Sequence, residues 1–138
     1  MRFFIITVLF LFYCNIVNAK EYSVVSSKNM PMMTINELRA LYLKKIIFLK
    51  DVKVIPLNLS ANSKIRRSFE KNILHMSENQ LKRYWIKEHY LGKRPPIMLE
   101  SQRAVQKFVH RVNGAIGYIE NTQNIKMFKV LYQWKDEE

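Results

Sequence analysis

Residues 101–119 read SQRAVQKFVHRVNGAIGYI. Ser101 offers a capping hydroxyl, after which Val105, Phe108, Val109 and Val112 recur at i, i+3, i+4 and i+7, the spacing of an amphipathic helix. Asn113-Gly114 then stops the helix, because these residues readily take the left-handed backbone that closes helix C-termini. Ala115–Ile119 follows as an apolar run that reads as a strand, and Gly117 inside it signals close approach by a neighbouring element. A helix that hands the chain directly to an apolar strand is the repeating unit of an α/β fold.

Upstream, the same alternation continues. Tyr22–Ser27 is short, β-branched and bounded by Lys28-Asn29 and Pro31, which suits a first strand. Thr34 with Glu37 forms a capping box, and Ile35, Leu38, Leu41 and Tyr42 fall on one helical face. Val52–Leu59 reads as a strand in which Pro56 calls for an edge position or a bulge. Ser63 caps a helix with Ile65, Phe69 and Ile73 on one side. Ser77 with Gln80 opens another, carrying Leu81, Tyr84 and Trp85 and ending near Gly92 ahead of Pro95-Pro96. Ile97–Leu99 makes a brief strand, and Ile125–Tyr132 a last strand-like segment. Without an internal repeat or low-complexity stretch, the expectation is one α/β domain with a small mixed sheet flanked by about four helices.

The N-terminus stands apart. Arg2 precedes an apolar run from Phe3 to Cys14, and Val17-Asn18-Ala19 supplies the small residues of a cleavage site, so residues 1–19 read as a secretory signal peptide. The run falls short of the roughly 20 residues a bilayer-spanning helix needs, which favours cleavage over an uncleaved membrane anchor. The domain is then 20–138, in an exported, periplasmic chain without cysteine and therefore without disulfides or thiol chemistry. At 138 residues, 49% hydrophobic and 25% charged, the chain can build a core, and this composition excludes disorder, collagen-like repeats and a polytopic membrane protein.

The ordered series Thr34-Ile35-Asn36-Glu37-Leu38-Arg39, Leu41-Tyr42-Leu43, Val54-Ile55-Pro56-Leu57-Asn58, Ser63 with Arg66 and Phe69, Gln80-Leu81 with Tyr84-Trp85, Leu91-Gly92-Lys93 with Pro95-Pro96, and Gly114-Ala115-Ile116-Gly117-Tyr118-Ile119 resembles the phosphate-type substrate-binding proteins of ABC transporters. The shared order covers almost the whole of residues 20–138, and the Gly-Ala-Ile-Gly-Tyr run is its most specific element. The resemblance implies a type II periplasmic-binding-protein fold, whose two α/β lobes close over a ligand. This chain is long enough for a single lobe, and the matching segments are those of the lobe inserted in the middle of such receptors.

The local chemistry can be read separately. Residues 58–64, Asn-Leu-Ser-Ala-Asn-Ser-Lys, lead from a strand into a helix, where free backbone N–H groups, the Ser63 hydroxyl and Lys64 meet at the positive end of the helix dipole. Arg66 and Arg67 add guanidinium groups suited to bidentate phosphate or carboxylate contact. In the resembled family this loop carries an arginine and then Gly-Ser-Gly-Thr. Here Ser63 matches the serine, Asn58 stands near the arginine's place, Asn62 and Lys64 replace glycines and Ile65 replaces the threonine. The candidate anion-binding set is therefore Ser63, Lys64, Arg66 and Asn58. Each has a plainer reading: Ser63 as an N-cap, like Ser77 and Ser101, and Arg66 with Arg67 as a solvated face. Phe69, Tyr84 and Trp85, at helical spacing, read as core.

Twenty-three Lys and Arg face eleven Asp and Glu, a net charge of +12, and loss of Arg2 with residues 1–19 leaves 22 against 11, or +11. Between Arg66 and Arg94, eight basic residues (Arg66, Arg67, Lys71, Lys82, Arg83, Lys87, Lys93, Arg94) meet three acids (Glu70, Glu78, Glu88), a local surplus of five. Such a field attracts phosphate, anionic lipid or acidic protein. Nucleic acid is not an expected partner, since an exported chain meets little of it and no binding motif accompanies the charge. His75, His89 and His110 lie on separate elements without ligand spacing, and no nucleophile–base order or phosphate loop stands out, so neither a metal, a cofactor nor catalysis is expected. The reading is a non-enzymatic solute-binding domain for phosphate or a similar small anion. The alternative is a protein-protein or membrane-surface interaction module that has lost ligand binding. Partners in keeping with the first are a membrane permease or periplasmic protein, or a second copy of the chain in a homodimer that rebuilds the missing side of the cleft.

Overall fold

The computed structural model describes residues 19–121 and 125–136. The signal-peptide expectation lies, but for Ala19, outside them. Seven strands and four α-helices follow in the order β1 (Lys20–Ser26), α1 (Ile35–Tyr42), β2 (Phe48–Leu49), β3 (Val52–Lys53), β4 (Ile55–Leu59), α2 (Lys64–Phe69), α3 (Glu78–Tyr90), β5 (Ile97–Leu99), α4 (Gln102–Arg111), β6 (Ala115–Glu120) and β7 (Lys129–Asp136). A π-helical turn, Glu70–Leu74, extends α2, and a 3-10 turn, Ile125–Met127, leads into β7. The main sheet has the order β5-β4-β6-β1-β7, parallel across β5-β4-β6 and antiparallel across β6-β1-β7. This is the expected mixed α/β architecture.

The sheet is assembled around β6, which is buried along Ala115–Ile119 as a strand covered on both faces must be. Successive residues of a strand point to opposite faces. Gly117 accordingly meets α4, where an added Cβ would lie 2.4 Å from the Val105 Cγ1, while Tyr118 faces α2 and stacks on Phe69 at a ring separation of 4.2 Å. α4 buries Val105 and Val109 and carries the crossover from β5 to β6. On the α2 side, Tyr22, Tyr42, Phe69, Tyr118 and Trp134 form one aromatic cluster, in which each well-placed pair adds about 0.5–1.5 kcal/mol beyond its area burial.

Caps form where the sequence places them. Thr34–Glu37 and Ser77–Gln80 are reciprocal capping boxes, Ser63 and Ser101 accept from the third residue beyond, and Gly92 and Gly114 sit at φ +80° and +87°. Three expectations need correction. The Val52–Leu59 strand is two: Val52–Lys53 pairs with Phe48–Leu49 in a separate hairpin, and only Ile55–Leu59 joins the main sheet. Pro56 lies in an interior strand and not an edge one. It is tolerated because β5 begins its pairing one residue later, at Leu57, so only the β6 side is bonded at the proline. The last strand starts at Lys129 and runs on to Asp136, after the 3-10 turn.

The glycines allow a graded test. At Gly114 a Cβ would fall 2.2 Å from the Lys53 carbonyl oxygen on a left-handed backbone, whereas at Gly92, also left-handed, it would meet nothing within 4 Å. Gly92→Ala should cost about 1 kcal/mol, the left-handed term alone. Gly114→Ala should cost about 3 kcal/mol, because a steric clash is added. Urea denaturation of the two variants checks this, and equal losses would mean that the approach of Lys53 to Gly114 is not rigid.

Candidate functional site

The junction from β4 into α2 gathers the four sequence-selected residues within nine positions, but it turns them in two directions. Ser63 follows a tight turn, its N–H donating to the Ser60 carbonyl at 2.9 Å, and takes an extended backbone, φ −69° and ψ 128°. Its hydroxyl accepts the Arg66 N–H at 3.4 Å, a long cap bond. On one side, Ser63 lines a shallow depression of about 430 Å³ shared with Leu59, Ile65, Glu100, Ser101, Gln102 and Arg103. The N-cap serines of α2 and α4 thus border the same space. Ser101 and Arg103 were not among the sequence-selected residues. Their helix start was legible, but its convergence with the start of α2 arises only from the β4-β5 pairing.

Arg66 points to the other side. Its Nε donates to Glu70 Oε1 at 2.7 Å and its Nη1 to the Leu59 carbonyl at 2.8 Å. The charge is balanced by a carboxylate one helical turn on, and the guanidinium keeps three of its five N–H donors beyond these two bonds. Glu70 is buried and the Arg66 side chain is only 22% exposed, so the pair is largely desolvated and fixes the start of α2 against the end of β4. Asn58 is half-buried on this side too, its Oδ1 accepting from the Tyr118 hydroxyl, which itself accepts the Leu59 N–H at 3.1 Å. Asn58 and Arg66 border a cavity of only about 10 Å³, room for about one water and too small for a phosphate. Lys64 is exposed, and no ion pair involves it among the described residues.

Arg67 donates from Nη2 to the Asn62 carbonyl at 3.1 Å. With Arg66 it borders a second, larger groove of about 530 Å³ between α2 and α3, walled by Leu81, Trp85, Ile86 and Tyr90. Phe69 is core, as expected. Trp85 and Tyr84 are not: both are half-buried, Tyr84 donating to the Leu43 carbonyl at 2.6 Å and Trp85 standing in the groove wall. The reason is that α3 buries only Leu81 and Glu88, so it lies against the body along a narrow stripe. Among the described residues no group of three His, Cys, Asp or Glu could hold a metal ion, and no helix is long and apolar enough to cross a membrane.

Neither a protein-family model nor a curated protein matches the chain. Solved structures do. A protein assigned as a phosphate ABC transporter substrate-binding protein from Clostridium perfringens, solved with phosphate bound, superposes at a TM-score of 0.65 with 16% identity, covering 82% of this chain and 44% of that one. An ABC-type phosphate transport receptor from Vibrio cholerae gives 0.63 and 16%, covering 82% and 46%. PstS from Borrelia burgdorferi gives 0.62 and 13%, covering 82% and 47%. The likeness is one of fold, and the chain spans less than half the length of these structures.

The phenols behind the site titrate abnormally. Burial pushes the Tyr118 hydroxyl far above its ordinary value of 10.0, although the Leu59 N–H and Arg66 pull it back, and burial together with neighbouring Tyr118 does the same to Tyr42. The folded protein therefore holds two protons that the unfolded chain releases above pH 10. Stability should be unaffected by these groups below about pH 10 and fall above it, by about 1.4 kcal/mol per pH unit for each phenol. Denaturant titrations at increasing alkaline pH, with tyrosinate absorbance followed in parallel, test this, and ionisation of both phenols in the folded state near pH 10 would contradict it.

Proposed function

We propose that this chain is an exported, non-enzymatic binding domain that takes phosphate or a similar small anion where α2 begins, with Ser63 and Lys64 as nearest contacts and Arg66 and Asn58 buttressing the junction from behind. The observation that carries the reading is the convergence of two helix starts, capped by Ser63 and Ser101, on one solvent-open depression with Arg103 at its rim. Helix N-termini favour anions through their free N–H groups and dipoles. The net charge, +11 over residues 20–138, adds a long-range attraction, and a single-lobe likeness to phosphate receptors, one of them holding phosphate, points to the same ligand class. A membrane permease, a periplasmic protein or a second copy of the chain would supply the opposite face of the cleft.

An open, one-sided site exposes half of a bound anion to water and has Glu100 on its rim. Affinity should accordingly be on the order of millimolar, about −4 kcal/mol. Phosphate at ten times its Kd should stabilise residues 20–138 by about 1.4 kcal/mol in a thermal-shift experiment. Ser63→Ala and Lys64→Ala should each reduce that shift while leaving the unliganded melting temperature within a few degrees. Absence of any shift at millimolar phosphate beyond that given by chloride at equal ionic strength sinks this reading.

A specific observation favours the interaction-module reading as well. After α1 the chain exposes four consecutive residues, Lys45 to Phe48, of which Ile46, Ile47 and Phe48 are 37%, 47% and 52% accessible. Such apolar runs are avoided on free surfaces unless they serve a purpose. Lys44, Lys45, Lys50 and Lys53 surround them against a single acid, Asp51, and Lys44 and Lys50 hold left-handed backbones. That combination suits a membrane surface bearing anionic headgroups. Sedimentation with phosphatidylcholine vesicles containing phosphatidylglycerol should pull the protein down, pure phosphatidylcholine should not, and Ile47→Ser/Phe48→Ser should release it. Equal pull-down by both vesicles would remove the electrostatic half of the idea.

A further inference from the structure

The groove between α2 and α3 differs in chemistry from the depression at Ser63. Its wall is Leu81, Trp85, Ile86 and Tyr90, with Ile86 and Tyr90 62% and 84% exposed, and its volume of about 530 Å³ falls within the ~300–1,000 Å³ range of small-molecule sites. A bare phosphate, only a few water volumes of ~30 Å³ each, would leave most of that wall wet.

The charges at the rim are sorted. Glu70 is paired with Arg66 at 2.7 Å and Glu78 with Lys82 at 3.3 Å, so both acids are already neutralised. Arg67 belongs to no ion pair among the described residues; one of its five donors reaches the Asn62 carbonyl, and the rest of the guanidinium is exposed at the mouth. An extended apolar wall with one unneutralised guanidinium at its end matches a ligand that is apolar along its body and singly anionic at its head.

We propose that this groove binds an amphiphilic anion, an alkyl or aryl phosphate or carboxylate, with the head on Arg67 and the apolar body along Leu81, Trp85, Ile86 and Tyr90. The site is separate from the one at Ser63 and stands whether or not inorganic phosphate binds there. Trp85 is a built-in reporter. The other tryptophan, Trp134, is buried and donates to the Ser68 hydroxyl at 2.9 Å, away from the groove.

Titration of residues 20–138 with octyl phosphate should give a saturable change in tryptophan fluorescence that Trp85→Phe abolishes. Octyl glucoside, with the same tail and no charge, should bind at least about tenfold more weakly, and Arg67→Gln should impose a similar loss on octyl phosphate alone. Arg67 is exposed, so this variant should keep the parent's melting temperature. Ile86→Ser/Tyr90→Ser should weaken both probes. The sources are separated by a second arm: a response to octyl phosphate monomers and to phosphatidylglycerol vesicles alike assigns the ligand to membrane lipid, and a response to monomers alone assigns it to a free amphiphile. The proposal is overturned if octyl phosphate gives no saturable signal, if Arg67→Gln binds it as well as the parent, or if inorganic phosphate displaces it in a manner that Ser63→Ala abolishes. The last outcome would put the head at Ser63 and leave the small-anion reading intact.

Discussion

The fold turns on the Tyr118 hydroxyl. It accepts the Leu59 N–H and donates to Asn58, closing the end of β4 against the middle of β6, while its ring stacks on Phe69 and holds α2 down on the sheet. One side chain thereby joins two strands and the helix between them. The neighbouring Tyr42 hydroxyl repeats the device two residues earlier in β4 by donating to the Leu57 carbonyl. Both phenols satisfy polar backbone that burial would otherwise strand, so these polar groups serve packing and specify the β4–α2 geometry.

That geometry explains why the four candidate residues, Ser63, Lys64, Arg66 and Asn58, divide. β4 ends with Asn58 turned toward Tyr118, and α2 begins with Arg66 drawn back by Glu70 and the Leu59 carbonyl. Two of the four polar groups at the junction are thus committed to holding it together, and what remains toward solvent is the Ser63 turn, Lys64 and the start of α4. An arginine neutralised by a buried carboxylate contributes less to capturing an anion than a free one would, but it keeps the backbone N–H groups of the turn in place.

Local chemistry was legible in the sequence, and long-range pairing was less so. Four N-caps, the left-handed Gly114, the helix end near Gly92 and the 101–119 helix–strand unit depend on residues within a few positions of one another, and all appear where the residue pattern places them. The Val52–Leu59 run reads as one strand but divides, because its first half pairs with Phe48–Leu49, a partner of two residues with no periodicity to detect. Pro56 misled because its effect depends on where β5 starts, which no local rule encodes. Arg66 was readable as a cation. Its pairing with Glu70 is an i,i+4 contact that the sequence also carries, whereas its second bond, to the Leu59 carbonyl, crosses the β4–α2 junction and follows from no helical spacing. Trp85 reads as core at helical spacing, and it lines a groove because α3 buries only Leu81 and Glu88 and is otherwise tied down by the Tyr84 bond to the Leu43 carbonyl.

The division of exposed chemistry along the chain points to how such a lobe works. β1, β6 and the buried positions of β7 supply the sheet's interior and the aromatic cluster, whereas both candidate sites fall within residues 59–103. The three acids of the Arg66–Arg94 region each hold a cation, Glu70 with Arg66, Glu78 with Lys82 and Glu88 with Lys93. The local surplus of five is therefore carried by Arg67, Lys71, Arg83, Lys87 and Arg94, free of any ion pair among the described residues. Each acid of the region is thus matched by one cation, and the five cations left over are exposed. A surface so arranged raises the local concentration of any anion approaching it, while any choice among anions falls to short-range features, and the two proposed sites differ in these: paired helix starts at one, an apolar wall at the other.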